Sequence, residues 1–338
     1  MNNSSINKSI TVSAPGKLML LGEHAVVYNR PCLVTAVEQR MVLKSTLSKE
    51  LIFQLDAQDV DVTGYKKPMV NLGKGDIPKG AKFVEIAVKN FFDRLKHLKG
   101  GRMDSFQVGI KIETKSEFSS TFGFGSSGAS TVCTIKALSL LFDLKLSSKE
   151  IFALSYKTVL DIQGKGSGFD VAGALFGGTL YFVTAGKKIE PLDANDLDLV
   201  VGYSGVKADT VAMINLVKEK MTTHKKAIEE IFSNIQKLVK QAKTAIIEKD
   251  WPHLGVLMNY NQDYLEDLGV STEKLNSMIS AARKAGAFGA KLSGAGGGDC
   301  MIALISPQGK KRVKSAIEKI GGQVIDIQTN APGVKIEP

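Results

Sequence analysis

The sequence predicts an α+β protein with two domains. The chain has 338 residues, a length that is more typical of two globular domains than of one. Short apolar runs and alternating polar and apolar residues in the first third predict strands, whereas apolar residues at helical spacing prevail after residue 208. We therefore predict one domain at residues 1–190 and a second at residues 191–338.

The amino-terminal domain is predicted to combine strands with two helices. The predicted strands cover residues 18–21, 31–37, 41–43, 106–112 and 178–183. One helix is predicted at 82–95 and a second near Gly128. Ser126, Ser127 and Ser130 are candidate N-cap residues for the second helix, because a serine hydroxyl can accept from an unpaired amide of the first turn.

The carboxy-terminal domain is predicted to follow a polar passage at 186–198. Its predicted elements are a strand at 199–203, helices at 208–249, 254–268 and 272–285, a strand at 299–305, a helix at 310–320 and a strand at 324–327. Asp250, Trp251 and Pro252 are expected to end the first of these helices, because proline disrupts a helix interior.

Charge and composition narrow the classes of partner. The net charge is +10, but Lys and Arg are scattered, so we predict a small anionic substrate and no nucleic acid. Cys32, Cys133 and Cys300 form no close pair and predict neither a disulfide framework nor a zinc site. The first ten residues lack the pattern of a signal peptide, and the longest uncharged run, 171–185, is too short to span a membrane. The sequence therefore predicts a soluble cytoplasmic protein without a membrane partner.

A glycine-rich stretch, SSTFGFGSSGAS at 119–130, precedes the second predicted helix. Unpaired amides and the helix dipole make a helix N-terminus attractive to anions, and glycines let the backbone approach a phosphate closely. Gly123, Gly125 and Gly128 would serve that purpose, while the two serines before Gly128 would add hydroxyl contacts. Taken alone, the stretch is equally compatible with a tight turn whose serines cap the helix.

Other nucleotide-binding classes fit the sequence less well. The spacing of Gly123, Gly125 and Gly128 also matches the dinucleotide fingerprint, which requires an acidic residue about 20 positions later at the end of a second strand. Asp143 comes too early and lies at a predicted helix end. The chain also lacks the Gly-x-x-x-x-Gly-Lys-Ser/Thr run and the His-Arg-Asp and Asp-Phe-Gly triplets. These observations argue against a dehydrogenase, a P-loop enzyme and a protein kinase.

Three further clusters carry candidate chemical groups. Lys17, Glu23 and His24 lie close together in an apolar stretch, and a second glycine-rich run, KLSGAGGGDC, occupies 291–300. Asp170 follows a third group of glycines, where its carboxylate would be partly buried and would need a partner, for which Lys17 is the candidate. Such a pair can take a proton from a substrate hydroxyl and stabilise a transferring phosphoryl group. A lone lysine or histidine, by contrast, is usually a solvated or structural group.

Together these clusters resemble the GHMP kinase superfamily of small-molecule kinases. The segments SAPGKLMLLGEHAVVY, FGFGSSGAS and KLSGAGGGDC resemble its three motifs, in order and over nearly the whole chain. Within the superfamily, GEHAVVYNRPCLVTAV, MNYNQDYLEDLGVS and GAFGAKLSGAGGG resemble the mevalonate kinases. The resemblance implies a ribosomal-protein-S5-like amino-terminal domain and a ferredoxin-like carboxy-terminal domain, with ATP and the acceptor in the cleft between them.

The resemblance also implies an activity, the ATP-dependent phosphorylation of the C5 hydroxyl of mevalonate in isoprenoid precursor biosynthesis, with Mg²⁺ as cofactor and a homodimer compatible with the family. It implies that Asp170 is the catalytic base and that Lys17 is its partner and phosphate stabiliser. The acceptor would be held by these two residues together with Glu23, His24 and Ser293. The residues implied to contact ATP are Gly123, Phe124, Gly125, Ser126, Ser127, Gly128, Ala129, Gly294 and Gly296, and Ser127 would also be a Mg²⁺ ligand.

The sequence is also compatible with a second acceptor. The segment GKGSGFD, which ends at Asp170, and the residue Asp299 in GAGGGDC both resemble phosphomevalonate kinases. Lys207 lies where mevalonate kinases often carry an arginine for the acceptor carboxylate, and together with Lys165 it could form a phosphate pocket. Asp161 is the nearest acid to the position of a second magnesium ligand in many mevalonate kinases. The alternative function is therefore the phosphorylation of 5-phosphomevalonate or of another acceptor of the superfamily.

Overall fold

Two β-sheets organise the chain in the computed structural model, which describes residues 8–98 and 108–338. The strands are β1 (Ser9–Leu21), β2 (Pro31–Ser48), β3 (Ile52–Ala57), β4 (Val62–Pro68), β5 (Gly109–Ser116), β6 (Thr179–Val183), β7 (Lys188–Leu192), β8 (Leu199–Tyr203), β9 (Gly289–Ser293), β10 (Cys300–Leu304), β11 (Gln323–Ile325) and β12 (Lys335–Ile336). The helices are α1 (Lys82–Leu98), α2 (Ser126–Leu141), α3 (Ser148–Gln163), α4 (Phe169–Phe176), α5 (Thr210–Thr223), α6 (Lys225–Ile247), α7 (Trp251–Asp267), α8 (Glu273–Lys284) and α9 (Lys310–Lys319). None of these helices is long and apolar enough to cross a membrane.

The first sheet has the strand order β12-β1-β2-β5-β3-β4, and β6 and β7 extend it from β2. Its pairs are antiparallel except for β3 with β5, which are parallel. The register of β1 against β2 shifts between Pro15 and Gly16 and again between Met19 and Leu21. Such bulges bend a strand and change the direction of its side chains. The part of β1 between the two shifts carries Lys17.

Helix α2 is the central helix of the amino-terminal half. It packs against β1 and β2 on one side and against α1, α3 and α4 on the others. Most of its side chains are buried because they are apolar or small on every face, which is the pattern of a helix surrounded by protein. Its first turn is the last part of the glycine-rich stretch at 119–130, so the packing of the helix fixes the position of that stretch.

The second sheet is antiparallel throughout, in the order β11-β8-β10-β9. Helices α8 and α9 cross this sheet at Gly202 of β8, where an added Cβ would lie 2.8 Å from Met278 and 2.9 Å from Ile317. The glycine is therefore needed for the two helices to approach the sheet. Helix α7 packs against β9, the edge strand that leads into the second glycine-rich run.

Several predicted elements differ from the observed ones. The helix predicted at 208–249 is two helices, α5 and α6, which meet at His224, where the polar run around it (TTHKK) offers no apolar face to hold one straight helix. The polar passage at 186–198 contains β7, and the strands predicted at 31–37 and 41–43 are parts of β2. Strands β3 and β4 and helices α3 and α4 were not predicted, although Ser147 and Glu150 form the capping box that begins α3. Two predictions fall partly outside the described residues. Residues 1–7 belong to the segment that was predicted to lack a signal peptide, and residues 106–107 belong to the strand predicted at 106–112.

The carboxy-terminal tail returns to the first sheet. Strand β12 pairs with β1, and the Arg40 guanidinium donates hydrogen bonds to the carbonyl oxygens of Pro332, at 2.9 Å, and Gly333, at 2.7 Å. The predicted boundary at residue 190 falls within β7, and the chain passes from one sheet to the other between Leu192 and Leu199. The exact division into domains stays a prediction.

Candidate active site

A cleft between the two halves of the molecule brings together residues from all four sequence clusters. Of the predicted site residues, those that line the cleft are Lys17, Glu23, His24, Gly123, Phe124, Gly125, Ser126, Ser127, Asp170 and Gly294. Residues that were not assigned a role by the sequence also line it, among them Met19, Gln163, Thr210 and Ile214. Met19 lies within the motif segment SAPGKLMLLGEHAVVY, whereas Thr210 and Ile214 lie outside the quoted motifs, so the sequence carried no signal for these two residues.

Lys17 is held in place from several directions. Its Nζ lies 3.0 Å from Oδ1 of Asp170 and donates a hydrogen bond to the carbonyl oxygen of Gly123 at 2.9 Å. The same ammonium lies 5.0 Å from the centre of the Phe169 ring, a distance at which a cation is attracted to the ring face. The predicted pairing of Lys17 with Asp170 is therefore present in the structure.

Asp170 lies in the first turn of the short helix α4. Gly168 precedes the helix with φ of 90°, a conformation that is strained for residues other than glycine. A carboxylate in a first helical turn interacts favourably with the helix dipole. The side chain of Asp170 is 36% exposed, whereas that of Lys17 is only 7% exposed. The carboxylate can therefore be reached from the cleft while its partner is buried behind it.

The three glycines of the phosphate loop, residues 123–128, each approach a different charged side chain. A Cβ added to Gly123 would lie 2.5 Å from Oδ2 of Asp299, and one added to Gly125 would lie 2.8 Å from Cε of Lys17. A Cβ on Gly128 would lie 3.0 Å from Cβ of Asp170. Gly123 and Gly125 also have φ of 73° and 80°. Gly123 and Gly125 therefore require glycine for both space and backbone conformation, whereas Gly128 is in close contact but has a helical backbone.

The predicted serine cap of α2 is wrong. Gly125 is the N-cap residue, in a left-handed conformation, and no side chain caps the helix. The hydroxyl of Ser130 donates instead to the carbonyl oxygen of Ser127, at 3.1 Å. The loop enters the helix through glycine because a capping side chain there would meet Lys17. The first-turn amides are consequently available to an anion in the cleft, where Ser126 and Ser127 also lie.

His24 is a buried, neutral imidazole. Its Nε2 lies 2.8 Å from the carbonyl oxygen of Ala295, and because a carbonyl can only accept, Nε2 carries the proton and Nδ1 is left as an acceptor. Burial lowers the pKa of His24 to about 4. The ring is therefore uncharged near neutral pH and can accept a hydrogen bond from an alcohol. His24 also has a φ of 58°, which is rare for residues other than glycine.

Glu23 is fully buried and its carboxylate is already engaged. Oε1 forms an ion pair with Nζ of Lys291, and Oε2 accepts from the Asn261 amide at 3.4 Å. Burial raises the pKa of Glu23 and lowers that of Lys291. This geometry does not favour the direct acceptor contact that the family resemblance implies for Glu23. Neither Lys291 nor Asn261 was predicted, although both lie in the segments KLSGAGGG and MNYNQDYLEDLGVS that carry the resemblance.

Ser293 joins the two halves of the molecule behind the cleft. Its hydroxyl donates to the carbonyl oxygen of Met19 at 3.0 Å and accepts from the Met19 amide at 2.9 Å. The residue is 6% exposed and lies outside the lining of the cleft, so the geometry does not favour the implied contact with the acceptor. Gly128, Ala129 and Gly296, which the resemblance implies to contact ATP, also lie outside the described lining of the cleft, and their contact with ATP stays a prediction.

Asp299 and Lys207 complete the carboxy-terminal wall of the cleft. Oδ1 of Asp299 accepts from the amide of Ala208 at 2.8 Å, and burial raises the pKa of this carboxyl. Lys207 is exposed and faces the cleft, whereas Lys165 lies outside the cleft lining and donates to the side chain of Asn215 at 3.0 Å.

Asp161, the suggested second magnesium ligand, is engaged elsewhere. Its carboxylate accepts from the Asn90 amide at 2.8 Å and forms an ion pair with Lys157 one helical turn away. It does not line the cleft. The geometry therefore places no second metal ligand at this position.

Comparisons with known proteins identify the family to which the chain is similar. The family model described as GHMP kinases N terminal domain matches residues 82–178, and the model described as GHMP kinases C terminal matches residues 242–323. The mevalonate kinase of Pyrococcus furiosus is 36% identical over 97% of this chain and 98% of its own length. The crystal structure of Methanococcus jannaschii mevalonate kinase has a TM-score of 0.79 at 26% identity and covers 95% of this chain and 98% of that one. That of L. major mevalonate kinase in complex with R-mevalonate has a TM-score of 0.76 at 26% identity and covers 95% of both chains.

These likenesses extend over both halves of the molecule and confirm the two-domain α+β fold that the sequence predicted. They also match the motif order, since the phosphate loop lies in the region covered by the first model and the second glycine-rich run in that covered by the second. We conclude that this chain belongs to the GHMP kinase family.

Proposed function

We propose that this chain transfers the γ-phosphoryl group of ATP to the C5 hydroxyl of mevalonate and releases 5-phosphomevalonate and ADP. The observation that carries the proposal is the contact of 3.0 Å between Lys17 and Asp170 beside the phosphate loop, in a cleft that is lined from both domains. The identity of 36% to a relative named mevalonate kinase supports the choice of acceptor. The cytoplasmic location and the homodimer stay predictions.

The roles follow from the geometry of the pair. Asp170 would accept the proton of the acceptor hydroxyl as its oxygen attacks the γ-phosphorus, and the bond from that phosphorus to the bridging oxygen of ADP would break. Lys17 would hold the carboxylate in its orientation, and its charge would stabilise the phosphoryl group during transfer. The neutral His24 would accept a hydrogen bond from a hydroxyl of the acceptor through Nδ1.

A nucleotide fits the shape of the cleft and of its continuation. A groove lined by Val60, Pro78 and Phe83 meets the cleft at Ser126 and Ser127, because both cavities share these serines. A ligand with phosphates at the N-terminus of α2 and an apolar ring some distance away would occupy both. ATP has that arrangement, and backbone amides at a helix N-terminus are suited to its phosphates.

Mg²⁺ fits the donor groups of the cleft as an ion held mainly by ATP. Residues 8–98 and 108–338 contain no group of three His, Cys, Asp or Glu side chains arranged to hold a metal. Mg²⁺ in kinases typically keeps several waters and binds substrate phosphates with few protein ligands, so one hydroxyl beside the phosphate loop is sufficient. Ser127 would supply that hydroxyl. When bound, the ion neutralises phosphate charge.

The charges of the cleft favour mevalonate over 5-phosphomevalonate. A 5-phosphate would add about two negative charges and would call for several cationic donors. Lys17 is committed to Asp170, and Lys165 is held by Asn215 outside the cleft lining, which leaves Lys207 as the uncommitted lysine of the described lining. The second candidate acceptor is therefore less well matched by this arrangement.

A coupled assay of ADP release with mevalonate, 5-phosphomevalonate, homoserine and galactose tests the assignment. We expect kcat/KM for mevalonate to exceed that for 5-phosphomevalonate at least about tenfold, a difference of about 1.4 kcal/mol in transition-state binding. Mass spectrometry of the product should show one added phosphoryl group on mevalonate. If 5-phosphomevalonate is the better acceptor and either Lys165→Ala or Lys207→Ala removes its advantage, the alternative function is correct.

A further inference from the structure

The turn after β1 is held by the carboxy-terminal half of the molecule. Glu23 forms its ion pair with Lys291 of β9, and the next residue, His24, donates from Nε2 to the carbonyl oxygen of Ala295 at 2.8 Å. The amide of Gly22 donates to the side chain of Asn261 at 3.3 Å, and the amide of that side chain donates to Glu23 at 3.4 Å. Three consecutive residues of one domain are thus fixed by groups of the other.

The ion pair at the centre of this junction is completely buried. Both side chains are 0% exposed. A fully desolvated ion pair contributes little net stability compared with apolar residues of similar size, although removal of one partner is strongly destabilising. Burial accordingly shifts the pKa of each partner toward its neutral form. A contribution to stability is therefore a weak explanation for this pair.

The position of the pair suggests a different role. Glu23 precedes His24 directly, and Lys291 lies four residues before Ala295, which receives the His24 hydrogen bond. The backbone of His24 has a φ of 58°. Such a conformation persists only where the surroundings fix it, and it is typical of functional sites. The ion pair therefore joins the residue before His24 to the strand that leads into the loop of its hydrogen-bond partner Ala295.

We propose that Glu23 and Lys291 are positioning residues, whose buried ion pair holds His24 against the second glycine-rich loop so that its imidazole is oriented toward the acceptor. Glu23 then acts through His24 and does not touch the acceptor itself. The inference rests on the proposed kinase function. It adds that acceptor binding by His24 depends on a contact between the two domains.

A double variant tests the proposal without leaving a buried charge unpaired. Glu23→Gln with Lys291→Met removes both charges and keeps the approximate shape. We expect KM for mevalonate to rise about tenfold or more, while KM for ATP changes less than about twofold. Glu23→Asp keeps the charge but shortens the side chain. It should also raise KM for mevalonate and leave KM for ATP nearly unchanged. It also serves as the test if the double variant does not fold.

The matched control is a second buried ion pair, in the amino-terminal domain alone. Lys67 lies 2.9 Å from Glu85, with side chains 12% and 0% exposed, and neither residue lines the cleft. Lys67→Met with Glu85→Gln should alter thermal stability but leave KM for mevalonate within about twofold of wild type. A rise in KM for mevalonate in this control equal to that in the Glu23 and Lys291 variant would overturn the proposal.

The tautomer of the His24 imidazole can be measured directly, without an assay of enzyme activity. In ¹⁵N spectra of histidine side chains, with His24→Gln for assignment, the wild type should show His24 neutral with the proton on Nε2. The double variant should lose this tautomer preference or broaden the signal, because the ring is no longer held. An unchanged signal together with unchanged KM for mevalonate would refute the positioning role. Failure of the wild type to phosphorylate mevalonate would refute the proposed function, whereas an altered His24 signal would still support the geometric coupling.

Discussion

Nζ of Lys17 lies 3.0 Å from Oδ1 of Asp170, although the first residue is on β1 and the second is in the first turn of α4. The contact is asymmetric, since the lysine side chain is 7% exposed and the aspartate side chain 36%. The cation is fixed from within the protein by Gly123 and Phe169, while the carboxylate remains open to a ligand. A carboxylate that is both oriented and accessible is suited to proton transfer.

Asp170→Asn should preserve the fold and ATP binding but reduce kcat. The amide cannot accept the hydroxyl proton, and a general base typically contributes about 10²-fold to 10⁴-fold to the rate. Steady-state kinetics, together with nucleotide affinity by calorimetry, measures the two effects separately. Near-normal kcat in this variant would exclude Asp170 as the base, and a loss of ATP affinity equal to the loss of kcat would indicate a binding role.

Ser127→Ala should weaken productive use of Mg·ATP more than use of the acceptor. The hydroxyl lies beside the N-terminus of α2 in the part of the cleft that joins the proposed nucleotide groove. An oxygen ligand lost from Mg²⁺ should raise the Mg²⁺ concentration needed for half-maximal rate. Kinetics at several Mg²⁺ concentrations measures this. A change confined to KM for mevalonate would place the serine on the acceptor side instead.

Gly125→Ala should inactivate the enzyme through steric displacement of Lys17. Its Cβ would lie 2.8 Å from Cε of Lys17 and 3.4 Å from Oδ1 of Asp170, in addition to a strained φ of 80°. Gly64→Ala is the matched control, because Gly64 has φ of 61° but an added Cβ there meets no atom within 4 Å. Both variants should lose about 1–2 kcal/mol of folding stability from the left-handed backbone.

Only the Gly125 variant should lose most of its kcat/KM for both substrates. Thermal unfolding and kinetics of the two alanine variants, measured side by side, separate backbone strain from disruption of the Lys17 contacts. Equal activity in the two variants would show that Lys17 and the phosphate loop tolerate the additional methyl group.

The neutral state of buried His24 should make folding stability sensitive to acid. Burial lowers the pKa in the folded state to about 4 from the ordinary 6.5. As the pH falls below 6.5, the unfolded chain binds a proton that the folded protein does not, so this contribution to stability is lost progressively down to about pH 4. At about 1.4 kcal/mol per pKa unit, the loss amounts to roughly 3 kcal/mol.

Denaturant unfolding of the wild type and His24→Gln at pH 7.5 and pH 4 measures this contribution. The wild type should lose roughly 3 kcal/mol more than the variant over that interval, because the other titrating groups are common to both proteins. An equal loss in the two proteins would mean that His24 is protonated at an ordinary pKa in the folded state.

The sequence predicted several local features that the structure contains. Gly123 and Gly125 lie in the loop before α2 and Gly128 lies in its first turn, and Lys17 is the partner of Asp170, as expected from the need of a partly buried carboxylate for a cation. The boundaries of α1, α8 and α9 were also close to those observed, because amphipathic spacing reports directly on which helix face is buried. The helix boundaries and the glycine positions depend on residues that are close together in the chain. The Lys17–Asp170 pair depends on the need of a partly buried negative charge for a positive one.

Other features depended on contacts between distant segments. The sequence suggested that serine caps α2, but Gly125 occupies that position because Lys17, on a different element, leaves no room for a side chain. Strand β7 lies in a polar passage, where pairing with β6 outweighs a weak intrinsic preference for strand. Ser293 was expected at the acceptor but lies between two groups of the Met19 backbone.

The sequence by itself determined that Asp170 would need a cation and offered Lys17, since a partly buried carboxylate requires a partner, and the family resemblance added the phosphate loop to the same site. Only the tertiary structure decided which group the Glu23 carboxylate contacts, because its partner Lys291 is 268 positions away along the chain. A motif places Glu23 beside His24 but cannot say whether its side chain faces a ligand or the domain junction. Burial is a property of the packed molecule, and it is in the buried junction between the two halves that the Glu23 carboxylate meets Lys291.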